Sequence, residues 1–180
     1  MPQIKLEKNY KINRQILLEK LSKKHITKLT DYSQNDLFFK FMEYKKFTKN
    51  KQEKYLANKI KQNNFKDNFF FVINFENLPI GTLFLSRISL FANNFDLSYG
   101  LSPKYWGRGI FSLILKKLLI ALKKQNINRI QAITRKDNLS SIKVLIKNGF
   151  VLEGKFKKYY FDLKSNTFHD ANLFTFIFKK

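Results

Sequence analysis

The spacing of apolar residues changes several times along the chain, and each change predicts an element. Residues 10–22 (YKINRQILLEKLS) carry Ile16, Leu17, Leu18 and Leu21 and predict a first strand. Over 33–47, Leu37, Phe38, Phe41 and Met42 recur at helical spacing. A second helix follows over 48–61, with Tyr55, Leu56 and Ile60 inward and Thr48 as its cap. The period then shortens: 68–89 reads as two β-rich runs around a turn at Glu76-Asn77-Leu78-Pro79. In 95–101 Phe95, Leu97, Tyr99 and Leu101 alternate with Asp96, Ser98 and Gly100, the mark of a strand. From Gly109 onward Phe111, Ile114, Leu115, Leu118 and Leu122 form a helical stripe, and Leu113 and Ile120 widen it, so this helix should lie well covered on a sheet.

Residues 129–135 (RIQAITR) predict a short buried strand. The loop KDNLSS leads into a helix with Ile142, Leu145 and Ile146 inward, stopped by Gly149. Two last strands are expected over 151–161 and 172–178, joined by the loop DLKSNTFHD. The order of elements describes a mixed α/β layer with helices on both faces. It lacks the strict strand-helix alternation of a doubly wound nucleotide fold. No repeat or low-complexity linker interrupts the chain, and a single domain over 1–180 is expected.

One stretch stands apart. In SYGLSPKYWGRGIFSLILKKLLIALKK (98–124) a strand pattern breaks at Ser-Pro, and two of the chain's 6 glycines, Gly107 and Gly109, then open a helix. A helix start presents unpaired N–H groups and about half a positive charge. Glycines there admit a diphosphate without a Cβ in the way, and Arg108 between them adds a second set of donors. Trp106 and Ile110 flank this candidate cradle. The plainer reading is a tight strand-to-helix turn. The third glycine of a dinucleotide-binding fingerprint is missing, and so is the Gly-Lys-Ser/Thr of a P-loop.

Composition narrows the rest. Hydrophobic content of 44%, including 20 Phe, is ample for a core. The absence of cysteine removes disulfides, thiolate metal sites and a cysteine nucleophile, and suits a reducing compartment. The charged N-terminus has no secretory h-region, and lysines break every apolar run before the roughly 18 residues of a membrane span, so a cytoplasmic location is expected. The net charge of +22 attracts phosphates or nucleic acid. Only five of the 35 basic residues are arginine, and the abundance of Lys, Asn, Ile and Phe also reads as AT-rich coding background on solvated positions.

GLSPKYWGRGIFSLILKKLL, followed by NRIQAITRKDNLSSIKVLIKNGFVLEGKFK, resembles the GNAT superfamily of N-acetyltransferases, and more narrowly its branch that acetylates the N-termini of ribosomal proteins. The resemblance is carried by Pro103, Tyr105, Trp106, Gly107 and Gly109, then by Asn138, Ser141, Gly149 and Phe150; the terminal HDANLFTFIF is similar to the family's last strand. It implies a mostly antiparallel sheet splayed in the middle, acetyl-CoA as co-substrate and an amine as acceptor. The pyrophosphate would sit on 106–111 and the pantetheine between 96–101 and 129–135. A backbone N–H near Leu101 would polarise the thioester carbonyl. Asp96 stands where similar enzymes often carry a glutamate that draws off the amine proton. Ser141 maps to a proton donor for the leaving thiolate, and Asn138 to a pantetheine contact, although both also suit the start of a helix. Tyr159 is a further candidate acid beside Tyr160. Phe111 departs from the family's usual Gly or Ala. His25 and His169 lie far apart and suggest no metal site.

A lysine of pKa about 10.4 is neutral well under ~0.1% of the time at pH 7, an α-amine of about 7.7–8.0 roughly 10–15%, so a base matters less for an N-terminus. The acceptor is thus a protein N-terminus, an amino sugar or another small amine, chosen by the first helices and the 161–171 loop. A different class stays open: a non-catalytic module using KKFTKNKQEK and KFKK to bind RNA or the ribosome. The chain would act as a monomer or homodimer.

Overall fold

The computed structural model describes residues 6–32, 35–41, 48–63, 67–89, 91–163 and 165–179. Eight strands form one sheet in the order β1-β2-β3-β4-β5-β6-β8-β7. They are β1 (Asn9–Lys11), β2 (Ile16–Lys20), β3 (Asn68–Phe75), β4 (Leu78–Ser89), β5 (Asn94–Leu101), β6 (Arg129–Arg135), β7 (Val151–Asp162) and β8 (Thr167–Ile177). The helices are α1 (Ile26–Tyr32), α2 (Lys49–Gln62), α3 (Ile110–Lys123) and α4 (Leu139–Lys147). Every pairing is antiparallel except β5 with β6.

β3 shows why both faces are covered. Its NFFFVINF is buried from Phe69 to Asn74. Phe69, Phe71 and Ile73 join the main core with Ile114, Leu115, Leu118 and Leu122 of α3. Phe70 and Val72, on the opposite face, pack with Leu29 of α1 and Leu56 of α2. Side chains alternate across a strand, so a continuous apolar run requires a helical layer on each side.

The N-terminal region differs from the sequence expectation. The first strand is a hairpin, β1 with β2, turned by Asn13, whose Oδ1 accepts from the N–H groups of Gln15 (2.9 Å) and Ile16 (2.7 Å). α1 is an additional helix. It follows a tight turn in which Ser22 N–H donates to Nδ1 of the buried His25 (3.1 Å). Of the helix expected over 33–47, residues 36–39 form one 3₁₀ turn, and 33–34 and 42–47 lie outside the described residues. α2 begins as expected, with Thr48 Oγ1 accepting from Lys51 N–H (3.4 Å). The β3–β4 connection is a two-residue turn at Glu76 and Asn77, both at positive φ, which matches the right-handed twist of the flanking strands.

Two expectations at the C-terminal end are corrected. β8 starts at Thr167, so most of the 161–171 segment is paired strand: Thr167, Phe168 and His169 oppose Asp162, Phe161 and Tyr160. Polar residues at the hairpin tip hide that pairing from a hydrophobicity reading. Ile146 is 57% exposed, because α4 turns its Leu145 edge to the core. Among the described residues no helix is long and apolar enough to cross a membrane.

α2 is fastened at its C-terminus by Asn63. The buried Nδ2 donates to Phe70 O (2.9 Å) and Leu21 O (3.4 Å), and Oδ1 accepts from Phe70 N–H (3.0 Å). Asn63→Ala would orphan the buried Phe70 N–H of β3 and remove the donor to Leu21 O, and should cost about 2–3 kcal/mol. Urea denaturation measures this; an unchanged midpoint would show that α2 is held by apolar packing alone.

Candidate active site

β5 and β6 pair at only three positions, Asn94↔Arg129, Phe95↔Ile130 and Asp96↔Gln131. Beyond Asp96 the outer half of β5 stays with β4 and the outer half of β6 with β8. A gap opens between them and forms part of a cavity of about 720 Å³. Ser102 N–H donates to Ile80 O of β4 (2.7 Å), so the alternation of an antiparallel strand turns the N–H and C=O of Leu101 toward the gap. The Leu101 carbonyl there accepts from the Trp106 indole N–H (2.8 Å), which pins the turn leading into α3.

That turn positions the glycines. Gly107 has φ 74° and Gly109 φ 71°, and a Cβ added at either would meet nothing within 4 Å. The conformation demands glycine while the space in front stays open. Leu113 N–H makes the bond back to Gly109 O (3.1 Å), so the N–H groups of Ile110, Phe111 and Ser112 precede the helical ladder. No acidic residue lies in this first turn. Lys143 and Lys147 of α4 line the same end of the cavity, and the Arg108 guanidinium lies over the Tyr105 ring at 5.4 Å. Open space, free amides and cations at a helix start fit a diphosphate.

The gap is walled by an aromatic pair. Tyr99 and Phe111 stack with ring centroids 3.7 Å apart and planes 14° from parallel. The Tyr99 hydroxyl shares a 2.7 Å hydrogen bond with Ser141 Oγ. Burial pushes the Tyr99 phenol up to about 12, against the smaller opposing effect of the Ser141 bond. Phe111 is 4% exposed, so its bulk turns into the core and away from the cradle.

The cavity passes through the sheet. On the α3/α4 face it is bordered by Gly107, Gly109, Asn138, Ser141 and Lys143; on the α1/α2 face by Leu29, Gln52, Tyr55, Leu56, Phe84 and Ser98.

A family model described as acetyltransferase (GNAT) domain matches residues 15–151. The chain belongs to the GNAT acetyltransferases. The uncharacterized N-acetyltransferase YoaA of Bacillus subtilis (strain 168) is 25% identical over 99 residues, 54% of this chain; the match spans about half of that relative, 55% of its length. Among solved structures, the ribosomal L7/L12 alpha-N-protein acetyltransferase RimL in complex with coenzyme A superposes with TM-score 0.85 at 21% identity, covering 94% of this chain and 97% of that one. The microcin C7 self-immunity acetyltransferase MccE, in complex with acetyl-CoA and AMP, gives 0.84 at 19%, covering 96% and 97%. These two likenesses establish a shared GNAT fold.

Within this GNAT chain the expected site residues fall into three groups. Leu101, Trp106, Gly107, Arg108, Gly109, Ile110 and Phe111 form the strand end and helix mouth just described. Asn138 and Ser141 meet at the start of α4: Asn138 Oδ1 accepts from Ser141 N–H (3.2 Å), so Asn138 is the cap and the Ser141 hydroxyl is free to join Tyr99. Asp96 and Tyr159 stand outside the cavity lining. Asp96 is the last paired residue before the gap, and burial raises its carboxyl above the usual range, with a long Gln131 hydrogen bond (3.5 Å) acting the other way. Tyr159 is 45% exposed and stacks on Phe156. A bulge with Lys158 at φ 50° shifts the register of β7 and brings Tyr160 to the cavity instead, its hydroxyl donating to Ile133 O (3.2 Å).

Three cavity residues carry no signal in a linear reading: Tyr99 looks like core, Gln52 like helix surface and Arg135 like a strand end. Arg135 is 5% exposed, donates to both Asp137 oxygens (3.0 and 2.7 Å), and reaches Lys40 O (3.3 Å) and His169 Nδ1 (3.1 Å). Among the described residues no group of three or more His, Cys, Asp and Glu could hold a metal ion.

The Tyr99 value sets a pH dependence. A phenol raised from 10.0 to about 12 on folding favours the neutral form in the native state. Its contribution is therefore complete below pH ~10 and lost as pH rises from 10 to about 12, roughly 2–3 kcal/mol in all. Stability measured across that window should fall more steeply in the wild type than in Tyr99→Phe; parallel curves would refute the assignment.

Proposed function

We propose that the protein is an enzyme that transfers acetyl from acetyl-CoA to a primary amine, with the α-amine of a protein N-terminus as acceptor. One observation carries the reading: two positive-φ glycines open α3 onto a cavity that runs through the parted strands to the opposite face. The relatives compared above are acetyltransferases by name, and the two solved ones were seen with coenzyme A or acetyl-CoA.

Bound there, acetyl-CoA supplies an activated thioester, whose C–S bond breaks as the amine nitrogen forms the new amide bond. The amides of 107–112, with Arg108 beside them, hold the pyrophosphate. Asn138, whose oxygen caps α4, has its amide NH₂ left to donate to the pantetheine. The Leu101 N–H points into the gap and would stabilise negative charge on a carbonyl oxygen there. Ser141 Oγ holds a proton at the same level. Tyr99 stays protonated at neutral pH, and its 2.7 Å bond fixes the Ser141 hydroxyl where it can hydrogen-bond to the sulfur as the C–S bond breaks. Asp96, made more basic by burial, is the nearby carboxylate on β5 suited to the amine proton, which would reach it through water.

The test is direct. Acetyl-CoA at 100 times its Kd should stabilise the protein by about 2.7 kcal/mol, where an RNA oligomer at matched charge concentration gives a salt-sensitive shift or none. Gly109→Ala should cost about 1–2 kcal/mol through strain at positive φ and place a methyl group in the cradle, cutting the acetyl-CoA shift sharply. Labelled acetyl-CoA in cell extract should leave label on protein. Equal shifts in wild type and variant, or no shift in either, would remove the proposal.

A further inference from the structure

β6 is bracketed by two arginines that do different things. Arg129, at its start, donates to both oxygens of the exposed Glu153. Arg135, at its end, is buried, and every N–H of its guanidinium has a partner. Nε and Nη2 donate to the two oxygens of Asp137, and Nη2 also to Nδ1 of His169. Nη1 donates to Lys40 O (3.3 Å) and lies 3.5 Å from Asp162 Oδ2. Because an arginine only donates, Nδ1 is the bare nitrogen of His169, and Nε2 carries the proton toward Thr167 Oγ1 (3.2 Å).

Stability alone does not call for such a cluster, since well-packed apolar residues in place of a buried ion pair are often neutral or better. The planar fork supplies a fixed geometry that an apolar contact lacks. Ile130 and Ala132 belong to the core beneath α3, so alternation along β6 places Arg135 on the opposite, α1/α2 face. There its Cζ lies 5.6 Å from the ring centroid of Phe41. Phe38, Phe39 and Phe41 line the cavity. On the other side of the guanidinium, Asp137 immediately precedes Asn138, which caps α4 and so sets the Ser141 hydroxyl against Tyr99. The Arg135 hydrogen bond holds the Asp137 carboxyl below the usual carboxylate range, which keeps the pair ionised at neutral pH. With acetyl-CoA on the α3/α4 face, an amine reaches the gap from the α1/α2 face. One side chain therefore touches both an aromatic wall on the amine's side and the turn that starts α4.

We propose that Arg135 is a positioning residue for acetyl transfer: through Lys40 O and the Phe41 ring it holds the acceptor-side wall in fixed register with the start of α4. This rests on the acetyl-transfer reading and adds a residue to it. The guanidinium has no N–H left for a ligand, so it acts through its partners and does not touch the amine.

The experiment follows thiol release by the full chain from acetyl-CoA, with hexapeptides beginning in Ser, Ala or Leu and with glucosamine as acceptors. Arg135→Lys keeps the charge but cannot span Asp137, His169 and Lys40 together. It should lower kcat/KM for the best acceptor by about 10- to 100-fold, through a higher acceptor KM and a lower kcat. The Kd for acetyl-CoA, read from the fluorescence of Trp106, the chain's one tryptophan, should change by less than about twofold. Arg129→Lys, at the other end of the strand, should leave the acceptor constants within about twofold. Phe41→Leu should also lower kcat/KM, and in combination with Arg135→Lys the loss should fall short of the product of the single losses by about fivefold or more. Should Arg135→Lys fail to fold, Asp137→Asn, which loosens the same grip from an exposed position, takes its place in the cycle. A variant that melts lower with unchanged acceptor constants, or losses that simply multiply, overturns this inference and leaves acetyl transfer standing. No thiol release by the wild type with any of these acceptors, while acetyl-CoA still binds, overturns both.

Discussion

The site depends on two strands that start together and are then pulled apart. Among the described residues β5 and β6 are the one parallel pair in the sheet, and they pair only over Asn94–Asp96 and Arg129–Gln131. Past that point each keeps its antiparallel neighbour: β4 holds β5 as far as Leu101, and β8 holds β6 as far as Arg135. Antiparallel ladders are somewhat more stable per residue than parallel ones, so the parallel contact is the one to yield as the sheet twists. The backbone groups so released are not wasted in a void. One carbonyl receives Trp106, and the neighbouring amide is left facing a cavity.

The electrostatics follow from that opening more than from the total charge. The sequence carries thirty lysines, yet the described lining of the cavity holds few charges: Lys143 and Lys147 near the helix mouth, and Arg135 bound to Asp137 at the other end. The functional contrast is between a polar, cation-bordered mouth on one face and an aromatic chamber on the other. A polar molecule and an apolar one can therefore approach the same gap without competing for one entrance.

How much of this was legible in the sequence depends on the range of the interactions. β6 was readable to the residue, and α3 and the 76–77 turn nearly so, because period and turn chemistry are local. The glycines at 107 and 109 were legible for the same reason. α1 was missed because its seven residues, ITKLTDY, carry two β-branched threonines and no stripe. β1 and β2 looked like one strand because the turn between them is made by a side chain, Asn13. The pairing of Tyr99 with Ser141 spans 42 residues and exists only when β5 and α4 meet across the gap. That Tyr160 rather than Tyr159 lines the cavity turns on a bulge that leaves no mark in the residue order.

Phe111 and Tyr99 lie face to face closely enough to leave no room for independent change. One belongs to the helix that opens the cradle, the other to the strand that borders the gap and reaches Ser141. Shrinking the phenylalanine to glycine or alanine would let the phenol ring tip and slacken its grip on the serine. The two positions therefore behave as one inherited unit: a lineage could exchange the bulky ring at the cradle for a small residue only by refitting its partner at the same time.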